Sequence, residues 1–499
     1  MAENSSKLAR RARRSTAGAL IVIAVITAGF AGFGAGLDGF FQQVRSGVTD
    51  YVGWFMIFVM NAALMLVVWL SMGRHRDQRI GGAQAEPQFS LAAWLSMLFA
   101  AGMGIGLLFY AVAEPLAHFE RMHERPGPEA AAEAMNLTFL HWGLHPWAIY
   151  ALVGLTLAWF HFNRDQPLSF AGPLTLIAPD KVGRPLGNVV NLLAVLGAVF
   201  GVSTSLGLGA AQAGEGIKHL TGLDNGLTLQ LSLVVLVSTA AAVSVASGVT
   251  RGVKLVSSAN LLAAIGLMFF VLFAGETLLA LKAMGHHMGH YFGHFVETST
   301  WREVYGESGW QADWTLFYWA WWISWSPFVG VFIARISYGR SIRTFVLGVL
   351  VAPSLFNFFW MTVFGSNALN HELTGPGFGD PDAAAALFGL LDLMPLGAAA
   401  IGLATVIVLL FFVTSADSGA LVTATLANAG VEPGWRPKTA WALTIMAVTA
   451  SLMTAGGLDA LQSATILTGA PFALVLVACG VALVRAVGRE ARALKAGPN

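Results

Sequence analysis

The chain has 499 residues, of which 56% are hydrophobic and only 11% are charged, and its formal net charge is +1. About 25% charged residues is usual in a soluble globular domain, so an ordinary soluble protein is excluded, and the balanced charge gives no reason to expect a nucleic-acid partner. The single cysteine, Cys479, excludes an internal disulfide framework.

Apolar runs long enough to cross a bilayer recur along almost the whole chain. Such a span needs about 20 mostly apolar residues, and about twelve segments meet that length. The sequence therefore predicts an all-α polytopic membrane protein. The predicted spans lie near residues 16–36, 51–72, 90–112, 136–160, 186–212, 227–247, 256–281, 314–336, 341–367, 396–420, 438–455 and 461–485.

The basic residues indicate the orientation of these spans. Lys and Arg collect in alternate loops, for example at Arg74–Arg79 and Arg335–Arg343, and the loops between are acidic or mixed. By the positive-inside rule, both termini are expected in the cytoplasm. The basic stretch Lys7–Arg14 is expected to belong to a cytoplasmic tail that leads into the first span, not to a cleaved signal peptide.

Three alternating glycines, Gly102, Gly104 and Gly106, occupy the third predicted span. Each glycine costs a helix about 1 kcal/mol relative to alanine, so a local break is expected. A helix broken within the membrane exposes N–H groups that suit a carboxylate and C=O groups that suit a cation. Close helix packing through small residues explains the same spacing equally well.

Tryptophans crowd the fourth and eighth predicted spans. In the fourth, Pro146 permits a kink that would bring Trp142 round to the face of its neighbours. In the eighth, Trp325 lies about 16 Å along the helix from Trp314, which is too deep for an interfacial belt. Aromatic faces at this depth suit a cage for a quaternary ammonium group, although ordinary core packing is the commoner use of such residues. The residues concerned are Trp142, Trp147, Tyr150, Trp319, Trp321, Trp322 and Trp325.

Polar side chains interrupt the tenth predicted span in "FFVTSADSGA". The hydroxyl groups of Thr414 and Ser415 can either ligate a hard cation such as sodium or bond back to their own helix. Asp417 is either a functional intramembrane acid or a solvated group near the cytoplasmic end.

Histidines raise two further possibilities. His141 and His145 have a spacing that can bind a metal, but no third ligand at a fixed spacing accompanies them, so ordinary hydrogen bonds are expected. An intramembrane enzyme built on these histidines and Asp417 lacks a recognisable catalytic spacing. The outer segment Met284–Phe295 contains four histidines and is predicted to lie as a short helix in the membrane interface.

Together these motifs resemble the betaine/choline/carnitine transporter family. The resemblance covers about residues 10–485 and rests on "GMGIGLLFYAVAEPLAHF", "HWGLHPWAIYALVG", "WTLFYWAWWISWSPFVGVFIARISYGRSIR" and "TSADSGA". It implies a LeuT-like core of two inverted five-helix repeats, at 90–281 and 314–485, joined by an outer segment at 282–313. Two spans at 16–89 precede the core, and cytoplasmic tails occupy 1–15 and 486–499. A homotrimer surrounded by lipid in a bacterial-type inner membrane is also implied.

The same resemblance implies a secondary transporter without a cofactor, which binds a zwitterion with an onium head group. The implied substrate site consists of an aromatic box, the path from it towards the cytoplasm, and the glycine-rich stretch: Trp142, Trp147, Tyr150 and Trp322; Trp325 and Phe328; and Met103, Gly104 and Gly106. The implied sodium site consists of carbonyl groups of the third span and groups of the tenth: Ala100, Met103, Phe411, Thr414 and Ser415.

The resemblance also bears on the substrate. Several choline carriers of the family have an acid where this chain has Gly106, so glycine favours a zwitterion such as glycine betaine over choline. The two hydroxyl groups of the tenth span favour sodium as the coupling ion. A proton-coupled choline carrier, a carnitine-type exchanger and uptake of dimethylsulfoniopropionate are the alternatives.

Overall fold

The computed structural model of the protein describes residues 16–29, 32, 38–102, 104–122, 127–247, 250–300, 303–304, 309–379, 382–428, 430–431 and 433–496. Within these ranges every regular element is a helix, and an isolated bridge between Arg79 and Ser341 is the one β-type pairing. The predicted all-α fold class is confirmed.

The described residues form seventeen α-helices and one π-helical turn. In chain order they are α1 (Thr16–Gly29), α2 (Asp38–Met72), α3 (Leu91–Gly102), α4 (Ile105–Glu120), α5 (Pro128–Trp142), α6 (Leu144–Phe162), α7 (Ala171–Ile177), α8 (Asp180–Thr221), α9 (Leu227–Ser247), α10 (Thr250–Ala274), α11 (Thr277–Gly293), α12 (Phe295–Ser299), a π-helical turn (Ala312–Leu316), α13 (Phe317–Ile336), α14 (Ile342–Thr374), α15 (Ala386–Asp392), α16 (Gly397–Ala427) and α17 (Trp435–Ala496).

Nine helical segments of the described residues are long and apolar enough to cross a membrane. The difference from the predicted number has a structural explanation. The described part of the first span is the short helix α1, the third span is divided between α3 and α4, and the 62 residues of α17 include the last two predicted spans. The protein is therefore a multi-pass helical membrane protein, and the number twelve stays a prediction.

The third span is broken at its glycines. Helix α3 ends at Gly102, and α4 begins at Ile105 after Gly104, whose backbone is extended with φ −151° and ψ −175°. No side chain caps the start of α4, so its first N–H groups are left for another partner. Met103, between the two helices, lies outside the described residues.

The fourth span is broken at Gly143, three residues before the kink that we expected at Pro146. A side chain at Gly143 would place its Cβ 2.5 Å from the ring of Phe358, so this close approach requires glycine. The amide of Asn357 donates to the carbonyl of Trp142 (2.8 Å), which the break leaves without a helical partner. Pro146 falls in the first turn of α6, where its missing N–H costs nothing.

The helices with the two tryptophan clusters lie deepest in the molecule. In the most apolar stretch of Pro128–Phe162, 94% of the residues are buried. The corresponding share is 89% in Ala312–Ile336 and 33% in α9. Helix α13 packs along α6, and α14 packs along α4, while α8 packs against both α16 and α17. Both halves of the fourth span and the α4 half of the third span are thus enclosed by other helices, whereas α3 is partly exposed.

The outer segment forms a longer helix than the sequence predicted, because α11 begins at Thr277. His290 Nε2 lies 3.1 Å from Glu133 Oε2, which ties this helix to α5. His287 is buried against Phe139. Burial lowers the pKa of His287 to about 3, and the neighbouring His286 and His290 add to the effect by charge repulsion.

Candidate ligand-binding cavity

A cavity of about 550 Å³ lies among α4, α6, α13 and α16, at the breaks in the third and fourth spans. This volume is in the range of sites that enclose a small molecule. Among the described residues, no side chain that lines it carries a charge. The lining residues include Gly104, Gly106, Trp142, Trp147, Tyr150, Ser205, Trp321, Trp322, Trp325, Phe328, Asn357, Phe411, Thr414, Ser415 and Ser418.

Four aromatic rings form a compact group on one wall of this cavity. Trp142 and Trp322 are 5.0 Å apart, with their planes at 76°. Tyr150 is 6.4 Å from Trp322 at 84°, and Trp147 is 5.5 Å from Tyr150 at 86°. Neighbouring rings pack edge to face, and all four residues line the cavity. The structure therefore brings together all four residues of the implied aromatic box.

Polar contacts outside the cavity fix two of these rings. The indole N–H of Trp142 donates to Glu114 Oε2 (2.7 Å), and that of Trp322 donates to the carbonyl of His141 (2.8 Å). Both indole donors are therefore satisfied within the protein and need no partner from a ligand.

Gly106 allows the glycine-rich stretch to approach the rings. A Cβ at this position would lie 2.8 Å from the ring of Trp142 and 2.9 Å from that of Trp321, which is closer than carbon atoms pack. An acidic side chain here would therefore displace the tryptophans. Gly104, whose added Cβ would meet nothing within 4 Å, does not have this restriction.

The remaining tryptophans of α13 divide between two environments. Trp325 and Phe328 line the cavity, with their rings 5.0 Å apart. Trp319 faces the opposite way and packs against His141 and His145. Trp321 lines the cavity and stacks on Trp322 at 4.9 Å, with the planes at 11°.

The residues of the implied sodium site lie in two helices. Phe411, Thr414 and Ser415 of α16 line the cavity. The hydroxyl of Thr414 donates to the carbonyls of Leu410 (3.0 Å) and Phe411 (3.2 Å), so it bonds back to its own helix. Ala100 belongs to the last turn of α3, whose final carbonyl groups have no partner within the helix.

The other candidate groups lie apart from the cavity lining. His145 Nε2 is 3.3 Å from Asn61 Oδ1, whereas His141 Nδ1 is 2.7 Å from Glu114 Oε1, so the two histidines do not share a ligand. Asp417 is half-buried and bonds to Ser244. These positions do not converge as an active site would.

Sequence reasoning missed several residues of the site. Trp321 is absent from the implied aromatic box, although its position beside Trp322 is a usable signal. Asn357 of α14 and Ser257 and Ser258 of α10 also line the cavity, and single polar residues in apolar spans give little warning of this. Glu114, which holds Trp142, was present in the quoted stretch "AEPLAHF" but received no role.

Comparison with known proteins identifies relatives along nearly the whole chain. The sequence model of the betaine/carnitine/choline family of transporters matches residues 15–492. A glycine betaine transporter of Bacillus subtilis is 38% identical over 462 residues, covering 91% of this chain and 90% of that protein. A glycine betaine transporter of Acinetobacter baylyi is 37% identical over 466 residues, covering 91% and 70%. A glycine betaine/proline/choline/ectoine transporter of Vibrio parahaemolyticus is 39% identical over 468 residues, covering 91% and 83%.

Among solved structures, a Na+-coupled sialic acid symporter in a substrate-bound outward-open state covers 86% of each chain. The sequence identity is 15% and the TM-score is 0.49, which is too low to establish a shared fold.

Proposed function

Since the chain belongs to the betaine/carnitine/choline family of transporters, we propose that it imports a zwitterion with a quaternary ammonium group, glycine betaine first, by sodium symport. Family membership makes it a transporter and not an enzyme. The nature of the substrate and of the coupling ion is our proposal.

The observation that supports this substrate is an aromatic cage in an uncharged cavity. A desolvated contact between a cation and an aromatic face is worth about 2 kcal/mol. Trp142, Tyr150 and Trp322 offer such faces at centroid separations of 5.0 to 6.4 Å. No charged side chain of the described lining contacts the ligand, and the uncapped N–H groups at the start of α4 favour a ligand that also carries an anionic group, so a zwitterion suits the cavity better than choline.

The start of α4 suits the carboxylate of the same ligand. Gly104, Ile105 and Gly106 line the cavity, and no side chain caps the helix there. Free N–H groups at a helix N-terminus favour an anion by about 0.3–1 kcal/mol. We propose that the carboxylate binds at this helix start while the ammonium group lies in the cage.

We further propose that one sodium ion binds between the end of α3 and the middle of α16. Carbonyl oxygens of Ala100 and Met103 would join Phe411 and the hydroxyls of Thr414 and Ser415. Oxygen ligands of this kind suit a hard cation. The proposal is supported by the position of the three α16 residues, which line the same cavity as the cage. An ion bound there would also stabilise the broken third span.

The arrangement of helices supports an alternating-access mechanism with two repeats, at 90–281 and 314–485. The first span of each half packs against the second span of the other, because α13 packs along α6 and α14 packs along α4. Reciprocal packing of this kind is expected of repeats related by a pseudo-two-fold axis. We propose a homotrimer in an inner membrane, with both termini cytoplasmic.

Uptake of labelled glycine betaine into proteoliposomes tests the proposal. An inward sodium gradient should drive accumulation, and an inward proton gradient alone should not. Uptake with protons alone would refute the sodium site and leave the cage standing. If neither gradient drives uptake, dimethylsulfoniopropionate, choline and carnitine should be compared, and failure of all four would refute the onium cage.

The sodium site has its own test. Thr414→Val with Ser415→Ala should make uptake independent of sodium, because both hydroxyl ligands are removed. Thr425→Val is the matched control, since the hydroxyl of Thr425 bonds back to Leu421 in the same helix and does not line the cavity. Sodium dependence that persists in the double variant would refute the assignment.

A further inference from the structure

A buried carboxylate lies directly behind the aromatic cage. Glu114 of α4 is fully buried, and four side chains from three helices surround it. Trp142 Nε1 (2.7 Å) and the hydroxyl of Tyr318 (2.5 Å) donate to its Oε2. His141 Nδ1 (2.7 Å) and His118 Nε2 (3.2 Å) lie against its Oε1. A carboxylate offers about four lone-pair sites, and all four are used.

The hydrogen bonds assign a proton to each of these donors. The hydroxyl of Thr315 lies 3.0 Å from His141 Nε2 and can donate to it, which leaves Nδ1 of His141 to donate to Glu114. With both histidines neutral, the cluster carries the one negative charge of Glu114. That charge lies one indole ring away from the cavity, which itself has no charged lining among the described residues.

Both central rings of the cage depend on this cluster. Trp142 bonds to Glu114 directly, and Trp322 bonds to the backbone carbonyl of His141, whose side chain holds Glu114. A charge-assisted hydrogen bond is shorter and stronger than a neutral one, so the carboxylate fixes the ring more firmly than an amide would. The carboxylate also polarises the indole N–H bond. This raises the electron density of the ring and makes its face more attractive to a cation.

A metal site is the competing explanation for the same side chains. Glu114, His118 and His141 offer ligand atoms that lie within 4.8 Å of one another. A divalent ion would place two positive charges beside a cage for a cation, however, and repulsion between them would oppose binding of the ligand. The saturated hydrogen bonds of the carboxylate explain the geometry without an ion.

We propose that Glu114 is a positioning and specificity-determining residue of the cage, which orients Trp142 directly and Trp322 through His141, and makes the face of Trp142 selective for a cationic head group. This inference rests on the proposed function, because it requires an onium group in the cage. The two can be tested separately, because the bond between Glu114 and Trp142 does not involve the substrate.

The main test measures binding of labelled glycine betaine to the purified protein and competition by 3,3-dimethylbutanoate, which has the same shape with carbon in place of the ammonium nitrogen. In Glu114→Gln, the Kd of glycine betaine should rise about tenfold, and the competition constant of the carbon analogue should change less than about twofold. Equal losses for both ligands would show a merely structural role and overturn the proposal. Glu215→Gln is the matched control, because Glu215 is a buried glutamate that bonds Asn225 (2.9 Å) away from the cavity.

A double-mutant cycle tests whether Glu114 acts through the indole N–H. In a Trp142→Phe background, which lacks this donor, Glu114→Gln should change the Kd less than about twofold further. An undiminished effect would overturn the direct link. If Glu114→Gln does not fold, Glu114→Asp replaces it, since aspartate keeps the charge but is one methylene too short to reach Trp142, and the same loss of selectivity is expected.

A readout without substrate separates this inference from the proposed function. In protein labelled with ¹⁵N at the indole nitrogen, the resonance absent from Trp142→Phe identifies Trp142. It should move upfield in Glu114→Gln because the bond to the carboxylate weakens, and an unmoved resonance would overturn the proposal. If the wild type does not bind glycine betaine, the proposed function fails while this resonance still decides the role of Glu114 in orienting the ring.

Addition of Zn²⁺ to the wild-type protein tests the alternative that Glu114, His118 and His141 bind a metal. Unchanged betaine binding and an unchanged Trp142 resonance are expected, because no ligand position on Glu114 is free. Stoichiometric binding of Zn²⁺ that Glu114→Gln abolishes would overturn the hydrogen-bonded arrangement.

Discussion

Trp322 is the residue that joins the parts of the cage. Its ring contacts Trp142 at 5.0 Å, Tyr150 at 6.4 Å and Trp321 at 4.9 Å. Trp322 is buried and lines the cavity. Removal of this one ring would therefore take away a binding face and also free its neighbours to move.

Replacing Trp322 tests whether the aromatic cage binds the ligand. Trp322→Leu should raise the KM for glycine betaine about 30-fold, because a cation–π contact of about 2 kcal/mol is lost. Trp322→Tyr keeps an aromatic face and should raise KM less. Initial rates of uptake across a range of substrate concentrations give both values, and equal KM values for wild type and Trp322→Leu would contradict the cage.

The sequence predicted the members of the aromatic box and not the group that holds them. The box residues fall close together in two spans, whereas Glu114 is 28 residues from Trp142 and 204 residues from Tyr318 along the chain. A single acid in an apolar span has no local pattern that reveals such distant partners. Only the packing of three helices brings them together.

Some helix boundaries follow from the local sequence, whereas others depend on contacts with residues far along the chain. The sixth predicted span, 227–247, coincides with α9, because the length and apolarity of this run are enough to indicate its bounds. The break at Gly143 was not predicted, because it arises where Phe358 of another helix approaches the backbone. The last two predicted spans join as α17, and the chain turns there at Gly456 and Gly457.

Gly457 allows a test of the turn within α17. Its φ of 62° and ψ of −140° lie in a region that residues with a side chain rarely adopt. An added Cβ would meet nothing within 4 Å, so the cost of Gly457→Ala is conformational. The substitution should reduce the free energy of unfolding by about 1–3 kcal/mol and lower the Tm.

Gly456→Ala is the control for this measurement. Gly456 has a φ of −176°, which is open to any residue, so its substitution should lower the Tm less. Equal Tm values for Gly457→Ala and the wild type would show that the turn in α17 does not require this backbone conformation.

For the whole molecule, burial is greatest at the cavity and least at the periphery. In the most apolar stretches of the two helical segments that carry the cage, 94% and 89% of the residues are buried, against 33% in those of α9 and α10. The outer helix α11 is tied to this interior by His287, which packs against Phe139 of α5. The stability of the assembled helices therefore depends in part on the charge of that histidine.

Acid should weaken the assembly through His287. Its pKa is about 3 in the folded protein and about 6.5 in an unfolded chain, so the unfolded chain binds more protons between these values. Stability is therefore retained above pH 6.5 and lost as the pH falls towards 3, by at most about 1.4 kcal/mol per pH unit. The Tm of the wild type should decrease between pH 6.5 and 5, and that of His287→Leu should decrease less. Identical pH profiles for wild type and His287→Leu would contradict this role.

The described lining of the cavity contains no charged side chain, and this has an electrical consequence. A zwitterion adds no net charge to it, so one bound sodium ion would give the loaded carrier one positive charge and leave the empty carrier with none at this site. Moving an elementary charge through a membrane potential of 100 mV is worth about 2.3 kcal/mol. An inside-negative potential would therefore pull the loaded carrier inwards and do no work on its return. Each substrate molecule would carry one unit of inward current, so the cell's voltage would set how far the solute can be concentrated.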